Sequence, residues 1–166
     1  MSGDAERSPD RPGDDDPGRG RRLGLDVGTV RIGVAVSDPD GILATPVETV
    51  RAEPGTGDHP GHELGRILDI AEDNAVVEVV VGLPVTLRGR DTASTRRARV
   101  YAETLQEELG PAVPVRLADE RLSTMAATQA MQASGVSAKK GRGRIDQAAA
   151  VHILQGWLDA RRRTIS

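Results

Sequence analysis

The chain has 166 residues, with 22 Lys and Arg against 25 Asp and Glu; this is the size of one compact domain with a formal net charge of −3. The absence of cysteine excludes a disulfide scaffold, a cysteine nucleophile and the cysteine-rich zinc modules. With no Phe, one Trp and one Tyr, the sequence also excludes an aromatic platform for single-stranded bases. No apolar run approaches the ~18 residues of a membrane span, and the first residues lack signal-peptide character, so we expect a cytoplasmic protein without a membrane partner.

Charge is distributed unevenly along the chain. Residues 1–20 hold six acids and three arginines but almost no side chain to bury, so we expect a disordered acidic tail that folding does not require. One domain is expected over residues 21–166. Within it, residues 86–101 and 137–166 carry net charges of +4 and +5, which favours a polyanionic partner, although solvated helix faces would have the same composition.

The apolar pattern predicts an α/β fold. Alternation predicts two antiparallel strands joined at residues 28–31, with a third strand over 43–50, and then alternating helices and strands. The later predicted elements are a helix from Leu64, a strand over 76–83, a helix over 92–109, a strand over 113–118, a helix from Ser123 or Thr124 to Ser134, a mobile loop over 135–143 and a last helix over 145–162. This order describes a mixed five-stranded sheet, three antiparallel strands followed by parallel βα units, flanked by helices. Ligands of such sheets gather at the carboxyl ends of the parallel strands.

A carboxylate in the first predicted strand is the first candidate site residue. Asp26 lies on the strand face opposite Leu25 and Val27, where a half-buried carboxylate costs several kcal/mol unless it is paired, hydrogen-bonded or bound to a metal. Gly24 and Gly28 beside it would allow a ligand to approach closely. The structural alternative is an Asp that accepts backbone hydrogen bonds at the hairpin turn.

Two further carboxylates follow the fifth strand and open the last helix. Glu120 is adjacent to Asp119, and alternation puts these two acids on opposite sides of the strand end. Asp146 lies one helical turn before Ala150, on an apolar row that faces the sheet. Acids next to helix N-termini are also favoured by the helix dipole, so a structural role stays open for both sites.

Together, three such acids match the needs of phosphodiester hydrolysis. Hard oxygen ligands hold Mg²⁺ or Mn²⁺, which activates water and neutralises charge on the attacked phosphate. The competing chemistries lack their motifs: the sequence has no phosphate-binding Gly-x-x-x-x-Gly-Lys loop, no Gly-x-Gly-x-x-Gly after a strand and no Gly-x-Ser-x-Gly elbow. A metal-dependent hydrolase is therefore the predicted class.

Four ordered segments, 24–33, 81–84, 119–124 and 146–154, resemble in sequence and spacing the YqgF family, also called RuvX. The resemblance covers residues 21–162 and implies an RNase H-like fold related to the RuvC resolvases. It implies a nuclease that matures the 5′ end of 16S ribosomal RNA or, alternatively, resolves Holliday junctions in DNA recombination. Its catalytic and metal-binding acids map to Asp26, Glu120 and Asp146. The fourth carboxylate of many RuvC-type sites is missing, since Gly141–Ile145 occupy those positions.

The resemblance and the basic stretches together suggest how nucleic acid is bound. We name as candidate nucleic-acid-binding residues Arg31, Arg88, Lys139, Lys140, Arg142 and Arg144. The expected partner is structured RNA or branched DNA, with possible association with the ribosome, and the chain acts as a monomer or homodimer. Two other classes stay open: an RNase H-like module that binds RNA or a protein factor without cutting, and an actin-like ATPase, for which the chain lacks the second domain.

Overall fold

The computed structural model describes residues 7–53, 59–84, 92–119 and 138–165, the last range with side chains from residue 146 onward. The strands are β1 (Arg22–Val27), β2 (Arg31–Ser37), β3 (Ala44–Arg51), β4 (Glu78–Leu83) and β5 (Val115–Asp119), and the helices are α1 (Glu63–Asp73), α2 (Ala93–Leu109) and α3 (Ala138–Ile165). The helix predicted between residues 123 and 134 lies outside the described residues.

The five strands form one mixed sheet in the order β3-β2-β1-β4-β5. β1 pairs with β2, and β2 with β3, in antiparallel fashion, whereas β4 pairs with both β1 and β5 in parallel. A tight turn, in which Gly28 N–H donates to the Arg31 carbonyl over 2.9 Å, suffices for the antiparallel hairpin, while the parallel pairs need the crossovers that contain α1 and α2. The predicted mixed α/β sheet is confirmed.

The strand alternation divides the core into two layers. On one face, Leu23, Leu25 and Val27 of β1 pack in the larger cluster with α1 and α2. On the other face, Ala35 and Ala118 belong to a second cluster with the apolar row of α3: Ala150, Ile153, Leu154, Trp157 and Leu158. The small strand residues on this face let α3 lie close to the sheet. The face predicted for the last helix is confirmed.

The last helix begins earlier than the sequence predicts. α3 starts at Ala138, although residues 138–143 fall in the segment predicted as a mobile loop. Gly141 and Gly143 lower the helix propensity of this stretch by about 1 kcal/mol each relative to Ala, which is why the pattern favoured a loop. None of the helices in the described ranges combines the length and the apolar character that crossing a bilayer requires.

Residues 7–20, expected to belong to a disordered tail, lie against the domain. Asp10 N–H donates to the Leu117 carbonyl, and the Asp10 carboxylate accepts from Leu117 N–H, both over 2.7 Å, at the outer edge of β5. The Asp16 carboxylate accepts from Arg161 over 2.6 and 2.9 Å and from the buried Arg22 over 3.1 Å. These contacts are not those of a disordered segment, because each acid meets a partner that is remote in sequence.

Glu78 forms a buried charge network at the amino ends of β1 and β4. Its carboxylate accepts from Arg22 over 3.1 Å, from Arg116 over 2.9 Å and from the Trp157 indole over 3.3 Å. Arg22 is fully buried and Glu78 is 1% exposed. Buried charges are tolerated only when they are paired and hydrogen-bonded in this way. The network lies at the end of the sheet opposite to the predicted site.

Candidate active site

Asp26 lies near the carboxyl end of β1 and is half-buried. Leu25 and Val27 pack on the α1 and α2 side, so alternation places Asp26 on the face that α3 covers. Its cross-strand partner on β2 is Gly33, which offers no side chain to the carboxylate. Burial first, and then the negative charge of Asp146, raise the pKa of Asp26 from its ordinary value of 3.8 to about 6.

Two glycines in the sheet set the position of α3 and therefore of Asp146. A Cβ at Gly33 would overlap the backbone carbonyl oxygen of Asp146, and a Cβ at Gly24 would lie 2.7 Å from the Cβ of Leu154. The Gln147 amide donates to the Thr49 hydroxyl over 3.0 Å and fixes the helix to β3 at the same level. The absence of two side chains thus allows the helix backbone to rest directly on β1 and β2.

Asp146 carries a charge that the described residues compensate only in part. Burial raises the pKa of its carboxyl, and the positive charge of Arg31 opposes that rise. Its Oδ2 atom is buried and accepts no hydrogen bond from the part of the chain that the structure describes. Two carboxylates with raised pKa values, one of them with an unpaired buried oxygen, fit the hard oxygen ligands that Mg²⁺ and Mn²⁺ prefer.

The other predicted site residues are less completely placed. Glu120 and Arg88 lie outside the described residues, and so do the side chains of Lys139, Lys140, Arg142 and Arg144, whose backbone forms the first two turns of α3. Arg31 opens β2 at the end of the sheet that holds the acids, and its charge acts on Asp146. Within the described ranges no group of three or more acids or histidines is arranged so that it could hold a metal ion.

Asp119 ends β5 beside Leu83 of β4, at the carboxyl edge of the parallel strands, and it is exposed. It shares its strand face with Leu117, which packs in the cluster of α1 and α2, whereas Ala118 packs toward α3. Asp119 therefore lies on the face opposite to Asp26 and Asp146. The expectation that only one acid of the Asp119–Glu120 pair serves the site stays a prediction, because Glu120 lies outside the described residues.

The structure adds residues that the sequence did not single out. Gly33 was visible only as part of a motif, and its packing role depends on a helix more than 100 residues later in the chain. Arg51 ends β3 directly opposite Arg31. A cationic residue at a strand end gives no signal in a single sequence unless the strand register is known.

Comparison with known proteins places these features in a family. The sequence profile of RuvX, described as a Holliday junction resolvase, matches residues 20–160. A protein of Corynebacterium jeikeium named "Putative pre-16S rRNA nuclease" is 66% identical over 151 residues, which cover 91% of this chain and 94% of that protein. A protein of Rhodococcus opacus with the same name is 59% identical over 163 residues, covering 98% of this chain and 90% of that protein.

The fold also matches a solved structure. Thermus thermophilus RuvC in complex with a Holliday junction substrate superimposes with a TM-score of 0.54 at 16% identity, covering 87% of this chain and 96% of that chain. At this identity the likeness concerns the fold alone, and it confirms the predicted RNase H-like architecture.

Proposed function

Because the chain belongs to the RuvX family, we propose that it is a metal-dependent nuclease that hydrolyses phosphodiester bonds of structured nucleic acid, in the 5′-end processing of pre-16S ribosomal RNA. The observation that carries this proposal is the convergence of Asp26 and Asp146 on one face of the sheet, with raised pKa values and an unpaired buried oxygen. The names of the relatives support the RNA substrate. Such a role implies a cytoplasmic protein that acts on the assembling ribosome.

We assign the metal ligands to Asp26, Asp146 and Glu120. Asp119 is the weaker candidate because it lies on the strand face away from α3. A bound Mg²⁺ or Mn²⁺ would lower the pKa of a water molecule and neutralise charge on the attacked phosphate. The carboxylates would supply the negative charge that retains such an ion, and the missing side chain at Gly33 lets the backbone of α3 at Asp146 lie against β2.

The basic residues bind the substrate on either side of this site. Arg31 lies near Asp146 and offers a guanidinium, which matches the oxygens of a phosphate in a two-point contact. Lys139, Lys140, Arg142 and Arg144 belong to the turns of α3 that lead to Asp146, and we propose that they contact neighbouring phosphates together with Arg88. No aromatic side chain is available there for stacking, so the recognised features are shape and backbone.

Holliday junction resolution is the second candidate function, and the description of the family profile favours it. A four-way junction is two-fold symmetric, so resolving it requires two active sites in a homodimer, whereas trimming an RNA end requires one. The two functions therefore differ in the oligomeric state as well as in the nucleic acid that is cut.

One preparation of the protein tests both functions. We would assay it on a precursor RNA spanning the 5′ end of 16S rRNA and on a four-way DNA junction, with MgCl₂, MnCl₂ or EDTA, and measure its mass in solution. We expect RNA cleavage that needs the metal and is lost in Asp26→Asn and Asp146→Asn. Paired symmetric nicks in the junction by a dimer, with the RNA intact, would assign the second function. Binding without cleavage of either substrate would show a non-catalytic module.

A further inference from the structure

Two arginines lie side by side at the sheet edge that holds the carboxylates. Arg31 begins β2 and Arg51 ends β3, and the strand register makes them direct cross-strand partners. Side chains at directly opposed positions have Cβ atoms about 5 Å apart, and like charges in such a pair destabilise a sheet. The sequence places these residues twenty positions apart, so only the register reveals the pair.

Both arginines lie on the face that carries Asp26. Two residues further along the same strands, Gly33 is opposite Thr49; Gly33 contacts the Asp146 carbonyl, and Thr49 binds Gln147. Since residues two apart share a strand face, Arg31 and Arg51 also project to the α3 side. Asp26, the cross-strand partner of Gly33 on β1, is on that side as well. The carboxylates and the arginine pair therefore belong to one continuous surface.

Neither arginine of this pair forms a direct ion pair within the described ranges. Elsewhere the structure pairs its arginines closely: Arg22 with Glu78 at 3.1 Å and Arg161 with Asp16 at 2.6 Å. Arg51 is exposed, and within the described ranges its guanidinium forms no ion pair or hydrogen bond. Arg31 is half-buried and acts on Asp146 only through its charge, without a direct ion pair to the described residues. Two adjacent guanidinium groups thus remain available to an anion.

We propose that Arg31 and Arg51 form a phosphate-binding subsite that holds the nucleic-acid backbone next to the phosphate that is cut. Guanidinium groups bind phosphate oxygens through paired, charge-assisted hydrogen bonds, and a shared phosphate relieves the repulsion between two opposed cations. The subsite extends the site outward from β1 across β2 to the edge strand β3. It directs the bound strand over the β3 side of the sheet, and it adds Arg51 to the residues that determine substrate position. This inference rests on the proposed nuclease function.

The test measures binding separately from cleavage. The affinity of wild type, Arg31→Gln and Arg51→Gln for the precursor RNA and the four-way junction is measured by fluorescence anisotropy in EDTA across a KCl titration. We expect each substitution to weaken binding about tenfold. The slope of log K against log [KCl] should fall by about 0.7 to 0.9 in the double variant, which loses the one shared phosphate, and by less in each single variant. Because they share one phosphate, the double variant should lose less than the sum of the single losses.

Arg163→Gln is the matched control, since Arg163 is an exposed arginine near the C-terminal end of α3, away from the acids. The inference would be overturned if Arg51→Gln had the same affinity and the same salt slope as this control. It would also be overturned if the wild type bound neither probe in a salt-dependent manner. Thermal unfolding adds a second readout. Removing one of two repelling charges should leave the melting temperature equal or higher, whereas a structural role for Arg51 would lower it without changing the salt slope.

The outcomes also separate this inference from the proposed function. If wild type cleaves RNA or junction with Mg²⁺ but Arg51→Gln binds normally, the nuclease function stands and the subsite is refuted. If the two arginine variants lose binding as expected while wild type cleaves neither probe, the subsite stands as part of a binding module and the nuclease function is refuted.

Discussion

Replacing Asp26 by asparagine should stabilise the metal-free protein while it abolishes cleavage. Burial and the charge of Asp146 raise the pKa of Asp26 from 3.8 to about 6. At about 1.4 kcal/mol per pH unit, that difference corresponds to about 3 kcal/mol by which ionised Asp26 destabilises the fold at neutral pH. The amide removes this charge but must itself be buried, so the expected net stabilisation is about 1 to 2 kcal/mol.

The direction in which stability changes with pH follows from the protonation of Asp26 in the folded and the unfolded chain. Between pH 3.8 and about 6, Asp26 keeps its proton in the folded chain and has lost it in the unfolded chain. Folding therefore takes up a proton at Asp26, and the contribution of Asp26 to the stability of the wild type falls as the pH rises through this window. Asp26→Asn lacks that contribution, so the stability difference between variant and wild type should grow from pH 4 to pH 6 and stay constant to pH 8.

Urea unfolding followed by circular dichroism in EDTA measures this difference. Asp40→Asn, which removes one carboxylate at an exposed turn position, is the matched control. Added Mg²⁺ should then stabilise the wild type through binding and leave the stability of Asp26→Asn unchanged. The stability advantage of the variant should therefore become smaller, or the wild type should become the more stable of the two. A stability difference that does not change with pH, or a variant less stable than wild type at pH 7 in EDTA, would refute the assignment of the raised pKa to burial and repulsion by Asp146.

Three further predictions concern the packing around the site and the far end of the sheet. Gly33→Ala should destabilise the fold by about 3 kcal/mol and abolish metal-dependent cleavage, because the methyl group displaces α3 at Asp146. Unchanged cleavage would contradict this role of Gly33. Asp16→Ala should cost about 3 kcal/mol in urea unfolding because it removes the acid that pairs with Arg161 and leaves Arg22 with its pair to Glu78, whereas the exposed Asp14→Ala should cost almost nothing; equal values would show that the contacts of Asp16 contribute no stability. Glu78→Gln should cost a similar ~3 kcal/mol while cleavage by the folded fraction persists, and loss of cleavage in fully folded protein would connect this network to the site.

The predictable parts of the molecule are those that short-range periodicity encodes. The alternation around Asp26 fixed its strand face, and the apolar row through Trp157 fixed the face of the last helix. The pairing of Asp16 with Arg22 and Arg161 could not be predicted, since an acidic, Gly- and Pro-rich segment has the same composition whether its charges meet solvent or remote arginines. Residues 1–20 therefore looked disordered by composition alone.

The same difference between local and long-range features applies to the candidate site. Asp26 and Asp146 stood out because a carboxylate on an apolar face needs a partner, which is a property of the local pattern. Arg51 did not stand out, because its proposed role depends on its position opposite Arg31 on the neighbouring strand. The register of these two strands includes a shift between Val34 and Ala35. Register is a long-range property of the folded sheet, and it cannot be deduced from a single sequence.

The position of α3 after the five strands has a consequence for the order in which the parts of the proposed site come together during synthesis. The helix that carries Asp146 and packs on one face of the sheet is made after all five strands. Until it is complete, the emerging chain can pair its strands and pack α1 and α2, but that sheet face stays exposed and Asp26 lacks its partner acid. Synthesis from the N-terminus thus produces all five strands before Asp146 is available, so the proposed site assembles only after α3 has been made.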